Sequence, residues 1–588
     1  MKYLNRKYLH SFIPMFVIGM GIWYTIRNSC GTVGLSVQWK VSLFIINLIV
    51  TSGLAIFPSI QNRFTMFWRW IQCLPETIRN KKKDLIKFSA IMAGILLISL
   101  IAERLMAWYN MGSLFGEFSI RKYGFAFVIC MLISLLLFYR EIIFYHIEEV
   151  IFGMIFCIGT LYALSLPAGT IISWDDQVHY NEVQMLSHFF DGSVLMADYN
   201  YIMEDHIDSG YFQKGLYEAH IVQMDTMYKS GTIAYDIGYY IPVYQKWCYF
   251  PSAIALLLGR GMGLPFHLIV LFGRWVNLWL YAWLLYAGIK KMKSGKMLVA
   301  CYALFPTNIL LATSYSYDAW VNAFIAYGIC TLFGELQQPQ KRITNSELAK
   351  MVAAFFVGFG PKAIYAPLLL LTVLLPKEKF KSTRQRKVFI ISVLITFFIV
   401  LATFLIPFIF SGGGGQGDMR GGSDVNASQQ TKYILLHPFV YAGTLLKFLN
   451  NYWALENIQE YTNILGYLGP VYGADLLLMT TIVTAITDKE NTDRYIGWRI
   501  RGITVITVFI VSALVATALY ITYTPVGADS IGGCQPRYLL PLILPVLLIF
   551  GSSSIENRIN KVLYRSTILV IFSFVLLFAL WNVCIVRF

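Results

Sequence analysis

Two stretches of the chain, Val388 to Phe410 and Gly502 to Thr524, are long, apolar and free of charged residues. Each matches the roughly 20 residues a helix needs to cross the hydrocarbon core of a bilayer. A backbone can satisfy its own hydrogen bonds in lipid only as a helix or a closed barrel. Runs of this length read as helices, so the fold class is narrow from the start. Only 13% of the 588 residues are charged and 57% are hydrophobic, against about 25% charged in a soluble domain. The chain reads as an all-α integral membrane protein.

Apolarity alone marks about 15 spans: 10–26, 41–60, 88–107, 123–139, 150–172, 266–288, 298–314, 320–335, 349–360, 363–376, 388–410, 463–486, 503–524, 539–552 and 567–585. Met1 to Lys7 is basic, and the apolar stretch after it lacks a small-residue cleavage site, so it reads as a retained first helix. With a cytoplasmic N-terminus the inner loops are Arg63–Lys87, Arg140–Glu149, Lys290–Lys296, Lys341–Lys350, Lys377–Lys387, Asp488–Arg501 and Asn557–Arg565. These hold the basic runs RNKKK and KEKFKSTRQRK. Cytoplasmic loops collect Lys and Arg, which accounts for the net charge of +15 without nucleic acid. The expected location is the cell (plasma) membrane.

That topology leaves two large outer segments, about 173–265 and 411–462. Cys248 to Gly259 is apolar but too short to cross, and counting it as a span would put KKMKSGK outside. It reads as a helix lying in the interface. Glu182 to Phe190 has helical spacing of Val183, Leu186, Phe189 and Phe190 and reads as amphipathic. The second segment opens on the flexible SGGGGQGDMRGGSD. The nine cysteines are scattered, with neither a CxxC pair nor zinc spacing.

Chemistry concentrates at Ser173-Trp174-Asp175-Asp176-Gln177-Val178-His179-Tyr180, directly after the fifth span. Two acids at a membrane boundary are costly unless paired or used. A carboxylate there could take a proton from an acceptor hydroxyl, or hold a divalent cation beside a phosphate. Equally, Asp175 and Asp176 could simply cap the following helix. Arg274, Asp318, Lys362 and Arg537 also fall at outer helix ends, with Gln535 and Tyr538 beside the last. Snorkelling explains any one of these cations. Together, three cations and three acids near one membrane level suit an anionic lipid phosphate plus a base.

The motif WDDQVHY, with LGRGMGLPFHLIVLFGRWVNL, SYSYDAW, GPKAIY and GGCQPRYLLPLILP, resembles a family of uncharacterised bacterial polytopic membrane proteins. That family is in turn similar to the GT-C glycosyltransferases, which include the protein O-mannosyltransferases and the aminoarabinose transferase of lipid A. The resemblance runs from about Thr170 to Ser552. It implies a GT-C-like multi-span bundle over 150–588, whose outer loops bear interfacial helices, with residues 1–149 as an added N-terminal bundle.

It further implies an inverting glycosyltransferase of the cell envelope, fed by a polyprenyl-phosphate-linked sugar and acting on a glycan, lipid or protein acceptor. Mannosyltransferase spacing, counted back from His179, selects Asp176 as the general base and is the preferred alignment; the uncharacterised family's own spacing selects Asp175, which is kept as the alternative. Asp318 matches a second acid in the next outer turn. His179, Tyr180, Arg274, Asp318, Lys362, Gln535, Arg537 and Tyr538 are the expected substrate-binding residues. No nucleotide loop is present, and a divalent metal ion stays an open alternative. The competing functions are a polysaccharide polymerase or ligase, and a transporter or flippase of lipid-linked sugars.

Overall fold

The computed structural model describes residues 2–29, 37–56, 61–62, 66, 81–111, 114, 116–167, 172–188, 193–203, 214–236, 243–410, 424–488, 496–551, 555 and 557–587. Among them the chain is predominantly helical. Eight helices are long and apolar enough to cross a membrane: Lys82–Tyr109, Ile120–Phe138, Ile147–Ser165, Phe266–Lys291, Asp318–Leu336, Thr383–Thr403, Trp498–Thr522 and Lys561–Val583. Five shorter apolar helices join them, at Ser11–Tyr24, Phe44–Ala55, Ala363–Leu374, Ala474–Thr487 and Arg537–Ile549.

Three expected crossings have a different local form. The stretch 298–314 is two helices, Lys296–Ala303 and Pro306–Ala312. Pro306 has no N–H to donate and its ring collides with the preceding turn, so it can only start a new helix. The stretch 363–376 is a series of short helical pieces, the 3-10 turns Ala363–Tyr365 and Leu371–Leu374 with the α-helical turn Pro367–Leu370 between them, Pro367 at its start. The stretch 463–486 is α-helical only from Ala474, because Gly469 and Gly473 hold positive φ angles of 94° and 89°. The left-handed region there ends any continuous helix.

The centre of the bundle is Phe266–Lys291, which packs against Ile147–Ser165, Phe250–Gly261 and Asp318–Leu336. In the most apolar window of Asp318–Leu336, 83% of residues are buried, against 11% in Lys82–Tyr109 and in Ile120–Phe138. The N-terminal helices thus offer their apolar faces outward, as lipid-facing helices do. Close approach at the centre needs small residues. A Cβ on Gly334 would overlap the Lys291 carbonyl, and one on Gly273 would overlap Tyr315 and Leu256.

The segment 173–265 holds the helices Asp176–Ser187, Met196–Met203, Lys214–Ser230 and Phe250–Gly261. It also holds one antiparallel ribbon, in which Ser193 pairs with Asp236 and Val194 with Tyr235. This ribbon, between Ser193–Leu195 and Ile233–Asp236, departs from an all-helical fold. Where an interfacial helix is expected, at Cys248–Gly259, the chain forms the short helix Phe250–Gly261, preceded by a 3-10 turn, Tyr244–Tyr249. Its 12 residues span about 18 Å, too short for a core of about 30 Å. The amphipathic helix expected from Glu182 begins six residues earlier, at Asp176, and buries Val183 and Leu186. Phe189 and Phe190 lie outside the described residues, as do 411–423 of the glycine-rich stretch and most of the loop Arg63–Lys87. In the segment 411–462, Ala427–Leu436, Pro438–Tyr452 and Leu455–Thr462 are helical.

Candidate functional site

Four charged residues meet where four helix ends converge. Asp175 precedes the helix Asp176–Ser187, and Asp318 opens the helix Asp318–Leu336. Lys362 lies just past the helix Asn345–Phe359, after Gly360-Pro361 ends it. Arg537 sits in the turn Pro536–Leu539 that feeds Leu540–Ile549. Arg537 Nη2 donates to Asp175 Oδ2 at 2.7 Å, and Arg537 Nη1 donates to the Trp174 carbonyl at 2.9 Å. Arg537 Nε lies 3.0 Å from Asp318 Oδ2, and Lys362 Nζ donates to Asp318 Oδ1 at 2.8 Å. Asp318 thus bridges the two cations, and the quartet carries two charges of each sign.

Exposure distinguishes the members. The Asp175 side chain is 25% exposed and that of Lys362 12%, while Arg537 and Asp318 are buried. Aromatic rings wall the cations: Lys362 Nζ lies 3.8 Å from the Tyr538 ring centre and 5.1 Å from that of Tyr317, and Arg537 lies 5.4 Å from that of Trp174. Burial pushes the Lys362 amine down to about 8, against the pull of Asp318.

Asp175 has φ of 56°, the only positive value at a non-glycine among the described residues. Such a conformation costs on the order of 1–3 kcal/mol and marks places where surroundings dictate the backbone. Its side chain makes no cap hydrogen bond to the helix it precedes. The capping alternative is therefore not what holds Asp175; Arg537 does.

Asp176 faces a second cluster. It is fully buried, and Oδ1 accepts the Tyr315 N–H at 2.8 Å. Oδ2 accepts from Tyr201 Oη at 3.2 Å and from Arg274 Nη2 at 3.5 Å. Arg274 is itself fully buried, donating to the Pro167 carbonyl at 2.8 Å and to Tyr201 Oη at 2.7 Å. Burial raises the Asp176 carboxyl above its usual range, with Arg274 the main opposing influence. Arg274 is thus bound among Asp176, Tyr201 and Pro167, apart from Lys362 and Arg537.

The remaining expected residues divide between the clusters. His179 Nδ1 is 2.8 Å from Tyr249 Oη, and its ring meets Tyr317 edge-on at 4.7 Å. Burial, then Arg537, pushes its imidazolium down to about 3, so the ring is neutral. Its Nε2 is buried without a hydrogen-bond partner among the described residues, as is Gln535 Oε1. Tyr180 turns away and donates to Asp198, packing on Tyr201 and Tyr315. The Tyr538 carbonyl accepts from Tyr365 at 2.8 Å, fixing the turn that carries Arg537.

Sequence reading missed Trp174, Tyr317, Tyr201 and Tyr315 as partners of the charges, and Tyr249 as the partner of His179. Trp174 and Tyr317 directly precede Asp175 and Asp318, and that adjacency was the available signal. Among the described residues no three His, Cys, Asp or Glu side chains gather as a metal site. Asp175 and Asp318, the acids of the open cluster, are held by Lys362 and Arg537.

A family model described as predicted membrane protein (DUF2142) matches residues 217–546, more than half of the chain. The matched region contains Arg274, Asp318, Lys362, Gln535, Arg537 and Tyr538, and begins after Asp175, Asp176, His179 and Tyr180. No curated protein and no solved structure matches the chain.

Proposed function

The chain belongs to the DUF2142 family of predicted membrane proteins, and we propose that it is a membrane glycosyltransferase with a GT-C-like core. It moves a sugar from a polyprenyl-phosphate donor to a glycan, lipid or protein acceptor on the outer face of the cell membrane. The observation that carries this reading is the quartet itself. Asp175, Asp318, Lys362 and Arg537 come from helix ends far apart in sequence, yet they share one partly open site.

The donor phosphate competes with the carboxylates for Lys362 and Arg537. Once the phosphate takes Arg537, Asp175 is released to act as general base. It accepts the proton of the acceptor hydroxyl as that oxygen attacks the anomeric carbon from the face opposite the phosphate. The bond from that carbon to the phosphate oxygen breaks, and its electron pair leaves with the phosphate. Lys362 and Arg537 stabilise the charge that develops there. Asp318 positions both cations, and Asp176 with Arg274 anchors the loop that presents Asp175.

The test uses the full-length protein in bilayers with radiolabelled polyprenyl-phosphate sugars and a mixed acceptor extract. Label passing covalently to acceptor, and lost with Arg537→Ala, is the expected result. Label that crosses the bilayer still attached to its lipid would replace this reading with a flippase.

A further inference from the structure

We infer that the helices Asn345–Phe359 and Thr383–Phe410 form a binding site for one anionic phospholipid, in the leaflet opposite the Asp175 cluster. The site stands independently of the proposed reaction. A groove of about 650 Å³ runs between these helices, within the roughly 300–1,000 Å³ of small-molecule sites. Its walls are apolar, from Leu348, Val352, Val388 and Phe389. One helix that forms it, Thr383–Thr403, is only 17% buried in its most apolar window. The groove therefore opens where acyl chains are.

Its mouth is polar. Gln385 Nε2 donates to Asn345 Oδ1 at 2.7 Å and to the Ile343 carbonyl at 3.2 Å, closing the inner edge. Arg384 stands at the same end, exposed, and is the one charged residue among those lining the groove. No lining residue is acidic, so the headgroup that fits is anionic. Basic pockets between membrane helices bind such headgroups.

Length selects a bilayer phospholipid over a polyprenyl chain. From Arg384 to Thr396 the groove extends about 18 Å along the helix, close to the ~15 Å half-thickness of the hydrocarbon core. Its polar end adjoins Asn345, at the start of the helix whose far end leads to Lys362. The lipid head and the Asp175 quartet therefore lie at opposite ends of one helix. A donor phosphate seated at Lys362 would not place its head at Arg384.

The test is native mass spectrometry of the full-length protein released from vesicles of equal phosphatidylglycerol and phosphatidylcholine. The intact protein should retain phosphatidylglycerol, with Arg384→Gln lowering retention about fivefold, one near-surface charge's worth. Ala353→Trp, an exposed groove position, should fill the groove and remove retention of both lipids. Circular dichroism and the melting temperature confirm that each variant is folded. Equal retention of the two lipids by the intact protein would overturn the inference. So would unchanged phosphatidylglycerol retention in the folded Ala353→Trp variant, or its displacement by added polyprenyl phosphate.

Discussion

Asp175 and Asp176 are neighbours in sequence, yet their carboxylates serve opposite sides of the loop that carries them. Asp175 Oδ2 accepts from Arg537 at 2.7 Å, whereas Asp176 is sealed behind Tyr315, Tyr201 and Arg274. The left-handed backbone at Asp175 is the turn between the two directions. On the proposed function, Asp175 is the residue that meets the substrate, and Asp176 holds it in place.

This division yields paired predictions. Asp175→Asn keeps the size of the side chain and cannot take up a proton. Turnover of the polyprenyl-phosphate sugar should fall by at least about 100-fold, the lower end for loss of a general base. The melting temperature should stay close to that of the parent, since Asp175 is the least buried member of its cluster. Normal turnover in Asp175→Asn would remove the base from this position.

Asp176→Ala should act on stability first. It leaves the fully buried Arg274 without its carboxylate, a loss of about 3–5 kcal/mol for a broken buried pair. A large drop in melting temperature or in folded yield is expected, measured in detergent by intrinsic fluorescence. Asp176→Asn should be milder, because its amide oxygen can still accept the Tyr315 N–H. A folded, thermally normal Asp176→Ala variant would mean that Arg274 finds another partner and that the anchoring role is wrong.

The membrane class and most helix positions were legible because long apolar runs have few alternatives in lipid. The cluster was half legible. Asp318, Lys362 and Arg537 could be grouped by their shared level at helix ends, and the structure joins them. Arg274 looked equivalent by the same criterion and is not, because level along a span says nothing about the face of the helix a side chain leaves. Which of two adjacent acids points outward depends on a single φ angle at Asp175. No periodicity reports such an angle. The breaks at Pro306 and at Gly469 and Gly473 were visible as residues, but apolar composition masked them.

The sidedness rests on the Lys/Arg asymmetry of the loops and can be probed at described, exposed positions. In a cysteine-free background, Ser230→Cys and Ser428→Cys should react in intact cells with a membrane-impermeant maleimide, and Ser382→Cys should react only after permeabilisation. Labelling of Ser382→Cys in intact cells would invert the map and put the Asp175 cluster on the cytoplasmic side.

If the proposed reaction holds, Lys362 should give it a pH limit of defined sign. Burial lowers its amine to about 8, so it is charged below that pH and neutral above it. Only the ammonium attracts a donor phosphate. The apparent affinity for donor should therefore be full near pH 7 and fall as pH rises through about 8. Lys362→Ala should weaken donor use by about 10- to 100-fold, the ~1.5–3 kcal/mol of a charge-assisted hydrogen bond, and should abolish the alkaline fall. Lys362→Arg keeps its charge at every accessible pH, so it should move the fall to higher pH even where its different shape reduces turnover. His179 adds no acid limb above pH 5, because its imidazolium titrates near 3. An alkaline limb that stays at about 8 in Lys362→Arg would assign the titration to another group and detach Lys362 from the phosphate.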